Sequence, residues 1–255
     1  MIKLIATDID GTLLADGTLK INPEYYDVIK ELRNRGVRVI AASGRQRSSI
    51  EKVFAPIVDE AVYSKDYQFI NKIPEDVARA YIREARMFPG CEITINKDNM
   101  AYFENVGLYR YMIDDYGYRG ELVDNIEDYL DDVCKISIFH HNCAEKMVSQ
   151  EFVDKWSKTM NIAVSGKFWL DCTNQGGNKG SALQHFQEAY KISPDETLAF
   201  GDNINDIEML KRASHSFAVE NAREEVKEVA NFIAPSYKED GVLQVLKAVL
   251  RGELA

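Results

Sequence analysis

The first part of the chain alternates between short apolar runs and apolar residues at helical spacing. Residues 2–6 and 37–42 are apolar runs of the kind that form buried parallel strands. Between them, residues 25–32 place their apolar side chains on one face of a helix. A third apolar run, at residues 61–63, predicts another strand. Strands separated by helices predict an α/β fold with a parallel sheet.

The same alternation returns in the last part of the chain. The predicted elements are a helix over residues 179–190, a strand over 197–200, a helix over 204–211, a strand over 217–219, a helix over 223–230 and a final helix after Asp240. Because this pattern matches that of the first part, we expect both parts to belong to one strand-and-helix core.

Between these two parts the pattern changes to paired strands. The predicted helices cover residues 74–88, 108–116 and 144–160, and the predicted strands cover residues 91–96, 101–104, 135–139, 162–165 and 168–172. Four of these strands pair as two hairpins, which is typical of an antiparallel sheet with helices on one face. Because connections are normally short, we predict a core of residues 1–74 and 178–255 interrupted by an inserted α+β domain of residues 75–177.

The composition is that of an ordinary globular protein. The chain has 255 residues, of which 45% are hydrophobic and 28% are charged. Its formal net charge of -10 disfavours nucleic acids and anionic membranes as partners. No apolar run approaches the length of a transmembrane helix, and a signal peptide does not fit before Asp8, so we expect a mature start near Met1.

The cysteines do not follow a metal-binding or disulfide pattern. The four of them, at positions 91, 134, 143 and 172, form no C-x-x-C pair, which favours reduced thiols in a cytoplasmic protein. His140 and His141 lie close to Cys143, and a metal site is one interpretation of that group. Since the histidines continue an apolar run, we favour the end of a strand instead.

An acidic string directly follows the first predicted strand. It contains Asp8 and Asp10, then Gly11, which permits a tight turn, and Thr12, which offers a hydroxyl group. A solvated acidic turn explains two such acids when they stand alone. The carboxyl ends of parallel strands are where open α/β sheets bind ligands, so the whole string in this place favours a functional site.

A second acidic string follows the strand predicted over residues 197–200. Asp202, Asn205 and Asp206 supply the carboxylate and amide oxygens that suit Mg²⁺. A capped turn at the start of a helix is the alternative interpretation. The close spacing of the acids favours the metal site.

Two further groups are consistent with phosphate binding. Ser43 and the backbone N–H groups around Gly44 can hold a phosphate oxygen, although a helix N-cap turn explains them better when they stand alone. Lys179 begins a helix, where the macrodipole disfavours a cation; a bound anion would resolve that conflict, and a solvated lysine is the alternative. Because parallel strand ends converge on one edge, the four groups together predict a site for a phosphate and a divalent cation.

These strings resemble the motifs of the haloacid dehalogenase superfamily of phosphatases, and most closely its Cof-type, subfamily IIB branch. The resemblance covers nearly the whole chain and consists of Asp8 to Leu14 as motif one, Ser43-Gly44-Arg45 as motif two, Lys179-Gly180 as motif three and Gly201 to Asp206 as motif four. It implies a Rossmann-like core with an inserted cap domain and a Mg²⁺-dependent phosphatase of small phosphate esters.

The resemblance also implies a role for each matching residue. Asp8 would be the nucleophile that forms an aspartyl-phosphate, and Asp10 would be the general acid and then the general base. Mg²⁺ would be held directly or through waters by Asp8, the Asp10 carbonyl, Asp202, Asn205 and Asp206. The phosphate oxygens would be held by Ser43, Gly44, Lys179 and Asn205.

The substrate is implied only at the level of a class, a small phosphorylated metabolite such as a sugar phosphate. The branch has an Asn-Gly-Ala string after the third core strand, where this chain has Ser64, Lys65 and Asp66. This departure bears on the substrate and leaves the phosphate chemistry intact. Aromatic and basic candidates for substrate contact in the inserted domain are Trp169, Tyr102, Tyr109 and Arg110, for which core or surface positions are the more ordinary interpretation.

Two alternatives to a phosphatase stay open at this point. A phosphomutase would form the same aspartyl-phosphate and pass the group to a sugar, which needs a cap that excludes water. A catalytically silent binding protein would usually lack the nucleophile or a metal-binding acid. Asp8, Asp10, Lys179 and Asp202 are all present, which favours an enzyme.

Overall fold

The computed structural model describes residues 1–60, 71–97 and 99–254. These residues divide into two compact units: unit 1 contains residues 1–44, 50–60 and 179–254, and unit 2 contains residues 45–49, 71–97 and 99–178. The predicted strand at residues 61–63 and the string Ser64, Lys65 and Asp66 lie outside the described residues. The predicted boundaries of the inserted domain, residues 75–177, stay a prediction.

The strands, in chain order, are β1 (Leu4–Thr7), β2 (Arg38–Ala41), β3 (Glu92–Lys97), β4 (Met100–Phe103), β5 (Gly120–Leu122), β6 (Lys135–Phe139), β7 (Met160–Gly166), β8 (Trp169–Asn174), β9 (Thr197–Gly201), β10 (His215–Val219) and β11 (Phe232–Ala234). The α-helices are α1 (Glu24–Asn34), α2 (Arg47–Val53), α3 (Glu75–Ala85), α4 (Val106–Asp114), α5 (Ala144–Met147), α6 (Gln150–Trp156), α7 (Lys179–Tyr190), α8 (Ile207–Leu210), α9 (Glu224–Lys227) and α10 (Gly241–Leu250). Among the described residues, no helix is both long and apolar enough to cross a membrane.

Unit 1 is built on a five-stranded parallel sheet in the order β11-β10-β9-β1-β2. All four residues of β1, which lies between β9 and β2, are buried, as is typical of an inner strand of a parallel sheet. Within the core, the hydroxyl of the fully buried Tyr25 on α1 accepts a hydrogen bond of 3.1 Å from the Leu243 N–H at the start of α10. This bond joins the two helices.

Several helices of unit 1 are shorter than the periodicity predicts. The stretch predicted over residues 204–211 is a 3-10 turn, Ile204–Asp206, followed by α8. The helix predicted over residues 223–230 is α9, which has four residues. The three residues of β11 are apolar but form too short a run to predict a strand, and their pairing with β10 makes them one. Tertiary contacts therefore decide these short elements, as is usual at sheet edges and in tight turns.

Unit 2 contains a six-stranded sheet in the order β5-β4-β3-β6-β8-β7. Its pairings are antiparallel except for β4 with β5, so the sheet is mixed. Ile136 and Ile138 of β6 pack with α3 and α6, whereas Phe139 points to the other face and packs with α4. The prediction that all helices lie on one face is therefore wrong. As predicted, β6 ends at Phe139, and the two histidines follow it.

The helix predicted over residues 144–160 is also wrong in its length. It is two short helices, α5 and α6, because the backbone at Val148 is extended, with φ -88° and ψ 146°. The Ser149 hydroxyl then accepts a hydrogen bond of 3.2 Å from the Phe152 N–H and caps the start of α6. The apolar positions continue across the break, so periodicity alone does not reveal it, and Met160 already belongs to β7.

Candidate active site

The acidic string of the first strand lies at the carboxyl edge of the unit 1 sheet. The N–H of Asp8 donates a hydrogen bond of 3.1 Å to the Phe200 carbonyl of β9, and the Ala42 N–H donates one of 2.8 Å to the Thr7 carbonyl of β1. The ends of β2, β1 and β9 are thus adjacent, and the strings that follow these three strands share one edge. This is the convergence that the strand pattern predicts.

Lys179 joins two of the acids. Its Nζ lies 2.6 Å from Asp8 Oδ1 and 2.6 Å from Asp206 Oδ1. A Cβ atom at Gly180 would lie 2.5 Å from the Glu208 carbonyl oxygen, so only glycine lets α7 pack this closely on α8. The two carboxylates explain why a lysine is tolerated at the N-terminus of α7.

Asp206 organises the loop after β9. It is fully buried, and its Oδ2 accepts hydrogen bonds from the N–H groups of Asp202 (3.0 Å) and Asn203 (3.1 Å). A Cβ atom at Gly201 would lie 2.4 Å from the Asp206 Cβ, so glycine is required at that position too. Because Lys179 and two backbone amides already use both oxygens, Asp206 shapes the site and supplies charge to it.

Asp202 is held by the string after β1. Thr12 Oγ1 donates a hydrogen bond of 2.9 Å to Asp202 Oδ1, across a sequence separation of 190 residues. Gly11 has a φ of +76°, and a Cβ atom there would lie 2.3 Å from Asp202 Oδ2. Thr12 therefore holds Asp202, and Gly11 leaves room for it. Glycine is thus needed at position 11 for this close contact as well as for the tight turn.

Three carboxylates lie close together here, and Lys179 forms ion pairs with two of them. One oxygen each from Asp8, Asp202 and Asp206 lie within 4.8 Å of one another, and Asp8 and Asp206 are buried. Burial raises the pKa of Asp8 well above its usual range, and the neighbouring acids add to that effect while Lys179 opposes it. Burial, together with the charge of Asp206, raises the pKa of Asp202 to about 7.

These residues fit a divalent cation. Burial opposes the charged form of Lys179, but the nearby Asp206 and Asp8 raise the pKa of this lysine, so it stays protonated and still leaves excess negative charge. The Oδ1 atom of Asn205 is buried and has no hydrogen-bond partner among the described residues. Carboxylates and an available amide oxygen are the donors that Mg²⁺ prefers.

The other predicted site residues lie at the same edge. Asp10 is half-buried, and its Oδ1 accepts a hydrogen bond of 3.3 Å from the Gly17 N–H. Ser43 is half-buried and Gly44 is exposed, directly after β2. Ion pairs thus join Asp8 and Asp206 to Lys179, and the backbone N–H of Asp202 bonds to Asp206. Asp10, Ser43 and Gly44 follow strands that end at the same edge.

The sequence interpretation assigned no role in the site to Asn221. Its Nδ2 donates a hydrogen bond of 2.7 Å to the Gly11 carbonyl, although 210 residues separate the two. The available signal is the one used for the acids, because Asn221 follows the carboxyl end of a parallel strand, β10.

The aromatic candidates of unit 2 pack within that unit. Trp169 is buried, Tyr109 meets the Phe103 ring edge-to-face at 5.8 Å, and Tyr102 stacks on the Tyr129 ring at 4.7 Å. Arg110 is exposed. These are the core and surface positions that the more ordinary interpretation favours.

Known proteins match the chain over almost its full length. The family model for haloacid dehalogenase-like hydrolases matches residues 5–246. The chain is 29% identical over 268 residues to the 5-amino-6-(5-phospho-D-ribitylamino)uracil phosphatase YbjI of Escherichia coli, with 99% of this chain and 97% of the relative covered. It is 27% identical over 248 residues to the phosphatase YcsE of Bacillus subtilis, named for the same compound, with 96% and 95% covered. A crystal structure from Eubacterium rectale has 38% identity and a TM-score of 0.83, with 97% of this chain and 99% of that chain covered.

The motifs, the sheet topology and these matches agree. The predicted resemblance to Cof-type phosphatases is confirmed, and so is the predicted fold class, a parallel-sheet core with a second α/β unit. The prediction of a phosphoric monoester hydrolase is confirmed at the level of the family. The chain therefore belongs to the haloacid dehalogenase-like hydrolases, and it is a phosphatase of that family.

Proposed function

We propose that this phosphatase requires Mg²⁺ and hydrolyses a small phosphorylated metabolite through an aspartyl-phosphate on Asp8. The observation that carries the proposal is the buried carboxylate of Asp8, joined to Lys179 at 2.6 Å and surrounded by further acids. A buried carboxylate beside a fixed cation suits attack on a phosphate, because the cation offsets the repulsion between the two anions.

The reaction divides into two steps that use the same two aspartates. In the first, an Asp8 carboxylate oxygen attacks phosphorus, the bond to the leaving oxygen breaks, and Asp10 gives its proton to that oxygen. In the second, Asp10 takes a proton from water as the water oxygen attacks phosphorus. The bond to Asp8 breaks, inorganic phosphate leaves, and both aspartates are restored. The Ser43 hydroxyl, the Gly44 N–H and Lys179 would hold the phosphate oxygens.

Mg²⁺ would be held by Asp8, the Asp10 carbonyl and Asp202, with Asn205 and Asp206 supporting it. When bound, it supplies positive charge that neutralises the carboxylates and the phosphate. Asp206 keeps Lys179 and the Asp202 backbone in place throughout, since its two oxygens bind them at 2.6 and 3.0 Å.

The substrate class that we propose is a phosphorylated sugar or polyol derivative. The two relatives at 29% and 27% identity are named for a compound whose phosphate is on a ribityl chain. Such a phosphate ester has a strongly basic alkoxide as its leaving group, which needs the proton that Asp10 provides. A phosphorylated ribityl compound therefore belongs in the first panel of substrates.

The test is release of inorganic phosphate from para-nitrophenyl phosphate and from a panel of sugar and polyol phosphates. We expect turnover with Mg²⁺, none with excess EDTA, and recovery when Mg²⁺ is restored. Full activity in EDTA would contradict the metal requirement. Transfer of the group between positions of a sugar, without release of phosphate, would identify a phosphomutase instead.

Asp8→Asn tests the covalent step. The amide nearly matches the carboxylate in shape but is not a nucleophile, so turnover should fall by at least about 10³-fold while the protein stays folded. Phosphate release and the thermal unfolding temperature would be measured together. Near-normal activity in this variant would contradict an aspartyl-phosphate on Asp8.

A further inference from the structure

The loop after β10 contacts both acidic strings of unit 1. Asn221 Nδ2 donates a hydrogen bond of 2.7 Å to the Gly11 carbonyl, which follows Asp10 in the chain. Two residues later, the Arg223 N–H donates one of 3.0 Å to the Asp202 carbonyl. This loop therefore connects the string after β1 to the string after β9.

The Asn221 amide is oriented by its other contacts. Its Oδ1 accepts hydrogen bonds from Ser236 Oγ at 2.9 Å and from the Tyr237 N–H at 3.2 Å. These two donors require the oxygen on their side, so the NH₂ group must face Gly11. Asn221 is exposed, so its side chain contributes little to the core, and its hydrogen bonds are what it adds to the structure.

The hydrogen bond from Asn221 is accepted by Gly11, the glycine of the string. Gly11 has a φ of +76°, and glycine populates many backbone conformations at little cost. Inside the string, the Gly11 N–H already donates a hydrogen bond of 2.8 Å to the Leu14 carbonyl, on the side of Gly11 that is bonded to Asp10. The Asn221 bond adds a second contact, from outside the string, on the carbonyl side of the same residue. The hydrogen bond from Asn221 holds the Gly11 carbonyl in one direction.

We propose that Asn221 is a positioning residue for Asp10, which it fixes through the Gly11 carbonyl. The inference rests on the proposed function, in which Asp10 protonates the leaving oxygen as the bond to phosphorus breaks. In this role Asn221 would act through the Gly11 carbonyl and not by binding the phosphate or the cation itself. Its removal should weaken proton transfer and leave the attack by Asp8 intact.

Two aryl phosphates that differ only in the para substituent separate these two effects. Para-nitrophenyl phosphate releases a weakly basic oxygen that needs little protonation, whereas phenyl phosphate releases a more basic oxygen that depends on the acid. Their kcat/KM values report the first phosphoryl transfer for each leaving group. The ratio of the two values therefore measures how well Asp10 delivers its proton.

We expect Asn221→Ala to raise the ratio of kcat/KM for para-nitrophenyl phosphate over phenyl phosphate by about 3–10-fold, mainly through loss of phenyl phosphate hydrolysis. Asn22→Ala is the matched control, because the Asn22 amide also connects distant residues of unit 1, donating to Asp240 Oδ2 at 2.8 Å. Among the described residues, its side chain forms no hydrogen bond with either acidic string. This control should leave the ratio unchanged. Asp10→Asn, measured beside it, should raise the ratio more than Asn221→Ala does.

An unchanged ratio would overturn the inference while the proposed function stands. This holds whether activity is unaffected, falls equally with both substrates, or changes only in the Mg²⁺ concentration for half-maximal activity. If Asp10→Asn itself does not change the ratio, Asp10 is not the general acid and the proposed mechanism fails first. Thermal unfolding of each variant shows whether a loss of activity reflects loss of the fold.

Discussion

The buried charges of the two units are balanced in opposite ways. In unit 1, among the described residues, three carboxylates lie close together and Lys179 forms ion pairs with two of them. In unit 2, the buried carboxylate of Glu127 accepts hydrogen bonds of 3.2, 2.9 and 2.6 Å from three arginines, Arg79, Arg83 and Arg86. One cluster has more negative charge than the fold neutralises, and the other has more than enough positive charge for its acid.

The pKa values follow this difference. Burial and neighbouring acids raise the pKa of Asp8 and of Asp202, the latter to about 7. Burial would also raise the pKa of Glu127, but the hydrogen bond and charge of Arg83 and the charge of Arg86 lower it. A buried acid whose charge is neutralised by neighbouring side chains is typical of a structural ion pair. A cluster of buried acids with excess negative charge is typical of a ligand site. Three substitutions test this comparison.

Lys179→Met should have the largest effect. It keeps the length of the side chain and removes the cation that joins Asp8 and Asp206, so kcat should fall by about 10²–10⁴-fold. Phosphate release at saturating Mg²⁺ measures the loss. Lys211→Met is the control, because that lysine forms an exposed pair of 2.7 Å with Glu208 and should be dispensable. Comparable activities of the two variants would contradict the role of Lys179.

Asp202→Asn should stabilise the metal-free protein. The pKa of Asp202 is about 7 in the folded protein, against an ordinary value of 3.8. The folded state therefore binds the proton of Asp202 more tightly than the unfolded state does. As a result, the stability of the metal-free protein falls as pH rises from about 4 to about 7. At pH 8 in EDTA the variant should be more stable by about 1–3 kcal/mol, and this gain should shrink at pH 5. Thr12 can still donate to the amide oxygen.

Urea unfolding in EDTA at the two pH values measures this gain. Added Mg²⁺ should then stabilise the wild-type protein and stabilise the variant much less, because a carboxylate ligand is gone. If Asp202→Asn were less stable than the wild type at pH 8 in EDTA, the acid cluster would not be short of positive charge.

Glu127→Gln should change stability and leave kcat unchanged. Three arginines would lose their shared acceptor charge, and since these arginines are partly exposed, solvent limits the loss to about 1–2 kcal/mol. The pKa of Glu127 lies below its ordinary 4.5, so its contribution is full above that pH and disappears as pH falls through the lowered value. Urea unfolding at pH 7 and pH 4 should show the difference shrinking. A loss of activity at unchanged stability would contradict a purely structural role.

The sequence determined much of the fold because strand and helix periodicities are local. It places β1, β2, β9 and β10, and it places the acidic strings directly after β1 and β9. It does not show the break between α5 and α6, where the apolar positions continue without interruption. Nor does it show β5 and β11, whose three residues each are strands because a neighbouring strand pairs with them.

Within the candidate site, the sequence by itself identified the residue types and the edge of the sheet where they lie. Only the tertiary structure decided which atoms meet: Thr12 with Asp202 across 190 residues, and Asn221 with Gly11 across 210. It also decided that burial raises the pKa of Asp8, because burial depends on everything packed around a side chain. Spacing along a chain records local geometry, whereas distances and charges between remote residues exist only once the strands have been brought together.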